Sequence, residues 1–222
     1  MVYHVLNRGV NRMRIFETAA DYAVFEIAME QVLEVCPMRI CAYCLMPNHW
    51  HMVLWPEKDG DMARFMHRLC TTHATRWLHA KEKEGAGHVY QGRYKSFPVG
   101  DDEHFYTVMR YVERNALRAG LVERAEEWRW SSVWRREHGG VQQQRMLNEW
   151  PEETPTDWIR HVNEPLTEEE LEAVRVSVRR GRPFGKPCWV EEVAGVFGLQ
   201  STLRDVRGGR PKKTGTGPVF LA

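Results

Sequence analysis

The chain has 222 residues, 43% of them apolar, and 31 Lys and Arg nearly balance 30 Asp and Glu for a formal net charge of +1. That length suits one full domain, or one domain with a small addition. No run of ~18 apolar residues is present, which excludes a membrane-spanning helix, and Met1-Val2-Tyr3-His4-Val5 lacks the pattern of a signal peptide, so the expected compartment is the cytoplasm.

Val2 to Asn7 reads as a first strand, closed by Arg8-Gly9. Thr18 and Asp21 form a capping signal for a helix through Val35, with Tyr22, Phe25, Ile27, Met29 and Val32 at helical spacing. Met38 to Met46 and His49 to Trp55 are apolar strands separated only by Pro47-Asn48, which predicts an antiparallel hairpin. Asp61 to Lys83 is a second helix, apolar at Met62, Phe65, Met66, Leu69 and Trp77. Tyr94 to Val99 is a fourth strand. Asp101 or Asp102 caps a third helix to about Ala119, with Gly120 as its C-terminal stop.

The order β-α-β-β-α-β-α predicts an α+β fold, a ferredoxin-like antiparallel sheet with helices packed on one face. Residues 1–135 form the main domain in this reading. Residues 136–166 read as a linker, 167–203 as a small helical appendage opened by Thr167 and Glu170, and 204–222 as a flexible basic tail.

The five cysteines are an odd number, which argues against a disulfide framework. Cys41 and Cys44 have CxxC spacing, but positions three apart on a strand face opposite sides, so both are read as small buried side chains. His67, His73 and His79 scatter round the second helix and read as surface or core-edge residues.

His49 and His51 lie two apart on one strand and therefore share a face, with Trp50 on the other. Two imidazoles on a rigid strand are part of a metal site or a structural pair. On the third helix, Phe105, Val108, Val112, Ala116 and Ala119 form an apolar stripe, while Tyr111 and Asn115 are neighbours four apart on the polar margin. If that margin meets the histidine face, Asn115 becomes a third ligand and Tyr111 a nucleophile. Two imidazoles and an amide oxygen make a neutral shell with open positions, suited to Mg²⁺ or Mn²⁺. A divalent cation would offset the phosphodiester charge that repels an attacking phenolate. Tyr106 competes as nucleophile but has no amide four residues on, and Asp101-Asp102-Glu103 is better read as capping the helix than as holding a metal.

Tyr43-Cys44-Leu45-Met46-Pro47-Asn48-His49-Trp50-His51, Gly92-Arg93-Tyr94-Lys95-Ser96, the run from Tyr111 to Val122 and Trp130-Ser131-Ser132 together resemble the single-tyrosine HUH transposases. The match is nearest to the REP-associated tyrosine transposases. The resemblance covers roughly residues 2–134, and it departs at Ala116, where relatives carry Pro, and in a short N-terminus. It implies metal-dependent cutting and rejoining of single-stranded DNA at REP hairpins through a 5′-phosphotyrosine, in a bacterial, nucleoid-associated monomer. It assigns Tyr111 as nucleophile and His49, His51 and Asn115 as metal ligands. Arg8, Arg12, Arg14, Arg93, Lys95 and Arg118 become candidate DNA contacts, as do Arg210, Lys212 and Lys213 of the tail. A REP-binding regulator without cleavage is the alternative, and a hydrolase using bound water a third reading.

Overall fold

The computed structural model describes residues 1–85, 87–100 and 103–204. The expected cap at Asp101 or Asp102 and the tail residues Arg207, Arg210, Lys212 and Lys213 lie outside the described residues. Four strands, β1 (Val2–Arg8), β2 (Arg39–Met46), β3 (His49–Trp55) and β4 (Lys95–Val99), form one sheet in the order β2-β3-β1-β4 with every pair antiparallel. Helix α1 (Ala19–Val35) starts at the Thr18–Asp21 capping box. The Pro47-Asn48 turn is clamped by the chain before α1: the amides of Ile15 and Phe16 donate to Pro47 O at 2.8 and 3.0 Å, and Gly9 N donates to Asn48 O at 2.9 Å.

Helices cover both faces of the sheet rather than one. On the first face Val5, Tyr43, Leu45, Trp50, Met52 and Leu54 pack on α1 and α2 (Asp61–Ala80). On the second face Cys44, Met46, Val53, Phe97 and Val99 pack on α3 (Glu103–Glu113) and α4 (Asn115–Arg118). The reason lies in the strands themselves. From Ile40 to Met46 every residue of β2 is buried, so neither face tolerates water. A register shift between Ile40 and Ala42 also overturns the expected parity of the cysteines, placing Cys41 and Cys44 in the same core. Both stay free, and burial pushes both thiols up to about 12.

The expected linker is packed structure. After α5 (Ser132–His138) come α6 (Val141–Gln144), α7 (Trp158–Asn163), α8 (Glu168–Arg180) and α9 (Pro187–Val196). Trp150, Trp158 and Val162 enter the second core, joined by Val174 of α8, so the C-terminal helices share the core of the sheet. At ~25 cal/mol per Å² and ~200 Å² per ring, each tryptophan gains up to ~5 kcal/mol. That offsets the ordering of a few residues at ~1–2 kcal/mol each. The same segments cover both sheet edges. Asn148 N donates to Ile40 O at 3.0 Å beside β2, and Phe184 N donates to Pro98 O at 2.9 Å beside β4.

His73 also departs from expectation. It is fully buried, its ring lies against Phe16 and Phe25, and its Nδ1 is 2.7 Å from Tyr90 Oη. His67 and His79 are exposed.

Candidate active site

Strand register gathers the polar residues of the second face. Arg8 pairs with His49 and Leu6 with His51 across β1 and β3, and Lys95 lies across from Leu6 on β4. The His49 and His51 rings are 5.0 Å apart at an interplanar angle of 85°. Asn48, at the turn, accepts from His49 Nδ1 at 2.5 Å. His51 Nδ1 lies 2.9 Å from Nε2 of His4, a residue the sequence reading did not single out. Each ring is therefore held through Nδ1, and no hydrogen bond among the described residues uses Nε2 of either. On His49 the amide oxygen of Asn48 at Nδ1 fixes the tautomer in which Nε2 carries the lone pair, while at His51 the partner is another imidazole.

Burial keeps these rings neutral. It lowers His49 to about 3, with further lowering from Arg8 and Arg118. His51 is held well below the ordinary histidine value by burial first, then by His4, His49, Arg118 and Arg8. His4 falls to about 3 through burial alone.

Helix α3 brings Tyr111 over this face. Its ring meets His51 edge-on at 5.7 Å and His4 at 6.1 Å. The Arg118 guanidinium stands 4.3 Å from the Tyr111 ring centroid and donates to Asn115 Oδ1 at 3.1 Å. Tyr111, Asn115 and Arg118 thus form one cluster. The third helix does not run unbroken to Ala119 as expected: α3 ends at Glu113 and α4 begins at Asn115. At the break Arg114 donates to Val162 O and Asn163 O at 3.3 and 2.5 Å, while buried Glu113 accepts from Ser132 Oγ and Trp158 Nε1 at 2.6 and 2.7 Å. Contacts to α7 and α5 thus compete locally with a straight helix. Gly120, at φ +68°, ends the segment as expected. Tyr106 points elsewhere, its hydroxyl donating to Glu153 O at 2.7 Å.

The remaining basic residues divide. Arg8 lies within electrostatic reach of Tyr111 and of Arg12. Arg93 and Lys95 border a recess with Arg8. Arg14 is exposed and lies within electrostatic reach of Tyr22, which packs in the core of the first face.

Among the described residues, no group of three or more His, Cys, Asp or Glu forms a metal cluster. The donor set nonetheless fits a hard divalent cation in part. It offers two neutral imidazoles with Nε2 free and an amide oxygen that retains a second lone pair beside its bond to Arg118. Asn115 Nδ2 is buried without a partner, which marks this cluster as incompletely satisfied by the protein alone. Arg8 and Arg118 oppose a bare cation but favour a cation accompanied by phosphate.

His4 carried a signal that period-2 reasoning contains: it shares strand parity with Leu6 and Arg8, and so faces the same side as His49 and His51. The missing information was the pairing of β1 with β3.

A four-stranded antiparallel sheet with a His-x-His strand beneath a helix-borne tyrosine is the layout of the single-tyrosine HUH class. Residues 1–115 match the family described as "Transposase IS200 like", and the chain belongs to that family. A Haemophilus influenzae protein named as a REP-associated tyrosine transposase is 28% identical over 120 residues, covering 50% of this chain and 68% of that protein. The solved structure of a REP-associated tyrosine transposase bound to a REP hairpin superposes with a TM-score of 0.50 at 20% identity, over 60% of this chain and 76% of that one. At that identity the likeness establishes the shared fold.

Proposed function

We propose that the chain is a single-strand DNA endonuclease and strand transferase that acts beside REP-type hairpins through Tyr111. The observation that carries this reading is the edge-on seat of Tyr111 over His51, with Arg118 stacked on its ring. Tyr111 Oη would attack phosphorus in line. The Oη–P bond forms, the P–O3′ bond breaks, the phenol loses its proton and the leaving strand gains one as a free 3′-hydroxyl. One phosphodiester replaces another, so rejoining is the reverse step. His49, His51 and Asn115 would hold Mg²⁺ or Mn²⁺, which when bound would neutralise the non-bridging oxygens. Arg118 fixes the orientation of Tyr111 and adds positive charge beside the phosphate. Asn48 and His4 set the two imidazoles. The hairpin as substrate comes from the relatives, one of which is bound to such a hairpin in its solved structure.

Hairpin binding without cleavage is the second reading. It is favoured by Asn115 Oδ1 being engaged by Arg118, which leaves the histidine pair without an unencumbered third donor. Labelled REP-type hairpins incubated with the protein and Mg²⁺ or Mn²⁺ test both. A denaturant-stable protein–DNA adduct that disappears in Tyr111→Phe is the expected result. Specific binding with no adduct under either metal establishes the binding role, and cleavage that survives Tyr111→Phe points to attack by water.

A further inference from the structure

Beside the candidate active site, on the histidine face of the sheet, opens a recess of about 390 Å³. Arg8 of β1, Arg93 just before β4, Lys95 of β4 and Arg179 of α8 all line it. Among the described residues, no acidic one lines it. Asn7 braces the wall, its Nδ2 donating to Gly92 O at 3.3 Å.

Three features show that α8 is a fixed wall. Thr167 and Glu170 cap its start reciprocally, Gly181 ends it at φ +70°, and fully buried Val174 roots it in the second core. Arg179 donates to Glu172 at 2.5 Å, but both side chains are more than half exposed. Such a pair holds an arginine weakly and yields it to a better anion. Arg8 connects the recess to the site, since it stands across from His49 and within electrostatic reach of Tyr111. The volume lies at the small end of the ~300–1,000 Å³ range of ligand pockets. That is room for a single nucleotide unit.

We propose that this recess seats a backbone phosphate of the single strand flanking the hairpin, and that Arg179 makes the C-terminal helix part of the DNA-binding surface. This rests on the reading above that the substrate is a hairpin with a single-stranded flank. The recess gathers four cations from three separate parts of the chain, and the one carboxylate paired with them, Glu172 on Arg179, is itself more than half exposed and outside the lining. A phosphodiester supplies a matching negative charge, and Arg donates to its oxygens in bidentate geometry.

The test uses the full chain in EDTA, so that neither metal nor cleavage enters. Fluorescence anisotropy measures affinity for a REP-type hairpin with a four-nucleotide single-stranded extension and for the same hairpin blunt-ended, across a salt series. Arg179→Ala is expected to weaken the extended hairpin about tenfold and to lower its salt slope by about 0.7, leaving the blunt hairpin unchanged. Arg179→Glu should weaken it further, and Glu172→Gln, which frees Arg179, should not weaken it. An unchanged extended-hairpin affinity in Arg179→Glu overturns the proposal, as does an equal loss on both hairpins. Binding of dTMP to the parent as tightly as the extended strand also overturns it, by assigning the recess to a free nucleotide. Selective loss in Arg179→Ala without any Tyr111 adduct upholds this inference while removing the cleavage reading. Adduct formation with Arg179-independent binding does the reverse, and a parent that binds no extended strand overturns both.

Discussion

Acid unfolding is the sharpest consequence of the fold, because four histidines are buried in their neutral form. Burial is the first cause at His4, His49 and His73, each lowered to about 3, and at His51, lowered further. In the unfolded chain each would titrate near ~6.5. A neutral buried histidine stabilises the fold fully above that value, and the contribution is lost as pH falls from there toward the folded value. Between pH 7 and pH 5 the unfolded state takes up nearly one proton per histidine that the folded state refuses. That costs ~2 kcal/mol per site, and ~8 kcal/mol for four. Buried Glu113, raised by burial, has the opposite sign and offsets part of the loss. The remainder is comparable with the whole stability of a typical domain, ~5–15 kcal/mol. Urea unfolding in EDTA, followed by the fluorescence of the nine tryptophans, reads this directly. The midpoint should collapse between pH 6 and pH 5, with a slope approaching four protons. His73→Gln, remote from the histidine pair, should lower that slope by one. A stability loss below ~2 kcal/mol between pH 7 and pH 5 would refute the reasoning.

Three further outcomes follow from named contacts. Tyr111→Phe should abolish the covalent adduct while changing hairpin affinity in EDTA by less than about twofold, since among the described residues the hydroxyl has no hydrogen-bond partner that a missing oxygen would orphan. His4→Ala should weaken Mn²⁺ binding, read by electron paramagnetic resonance of the free ion, by about 10–100-fold, with His4→Gln losing less; an unchanged affinity would remove His4 from the support of His51. Arg135, 1% exposed, pairs with Glu26 Oε2 at 2.9 Å and donates to Tyr43 Oη at 2.7 Å, while Tyr43 donates to Glu26 Oε1 at 2.7 Å. Arg135→Met should cost ~3–5 kcal/mol in urea unfolding by leaving the buried Glu26 carboxylate only the Tyr43 hydroxyl and the 3.5 Å contact of part-exposed Arg129, and adding Glu26→Gln should recover part of it.

Local signals carried much of the fold. The Thr18–Asp21 and Thr167–Glu170 boxes, the Pro47-Asn48 turn and the stop at Gly120 each work through hydrogen bonds or backbone angles within a few residues, and the structure reproduces each of them. The shared face of His49 and His51 is likewise a property of strand geometry alone. Where competition came from afar, the local pattern was incomplete. Arg114 and Glu113 bond to α7 and α5 and break the third helix. Trp150 and Trp158 turn a Pro- and Glu-rich stretch into core. The bulge between Ile40 and Ala42 reverses the facing of Cys41.

The sequence by itself determined which side chains point together within one element: the histidine pair on β3, Tyr111 and Asn115 on one margin of a helix, and a family signature spanning both. Those relations depend only on backbone period, which each residue carries with it. Tertiary structure decided what stands across from them. Strand pairing set His4 behind His51 and Arg8 opposite His49, the second core seated Tyr111 over the imidazoles, and docking of α8 brought Arg179 to the recess. Pairing and packing join residues from about 40 to about 170 positions apart through burial and hydrogen bonds that no local period encodes, so they emerge only once both faces of the sheet are covered.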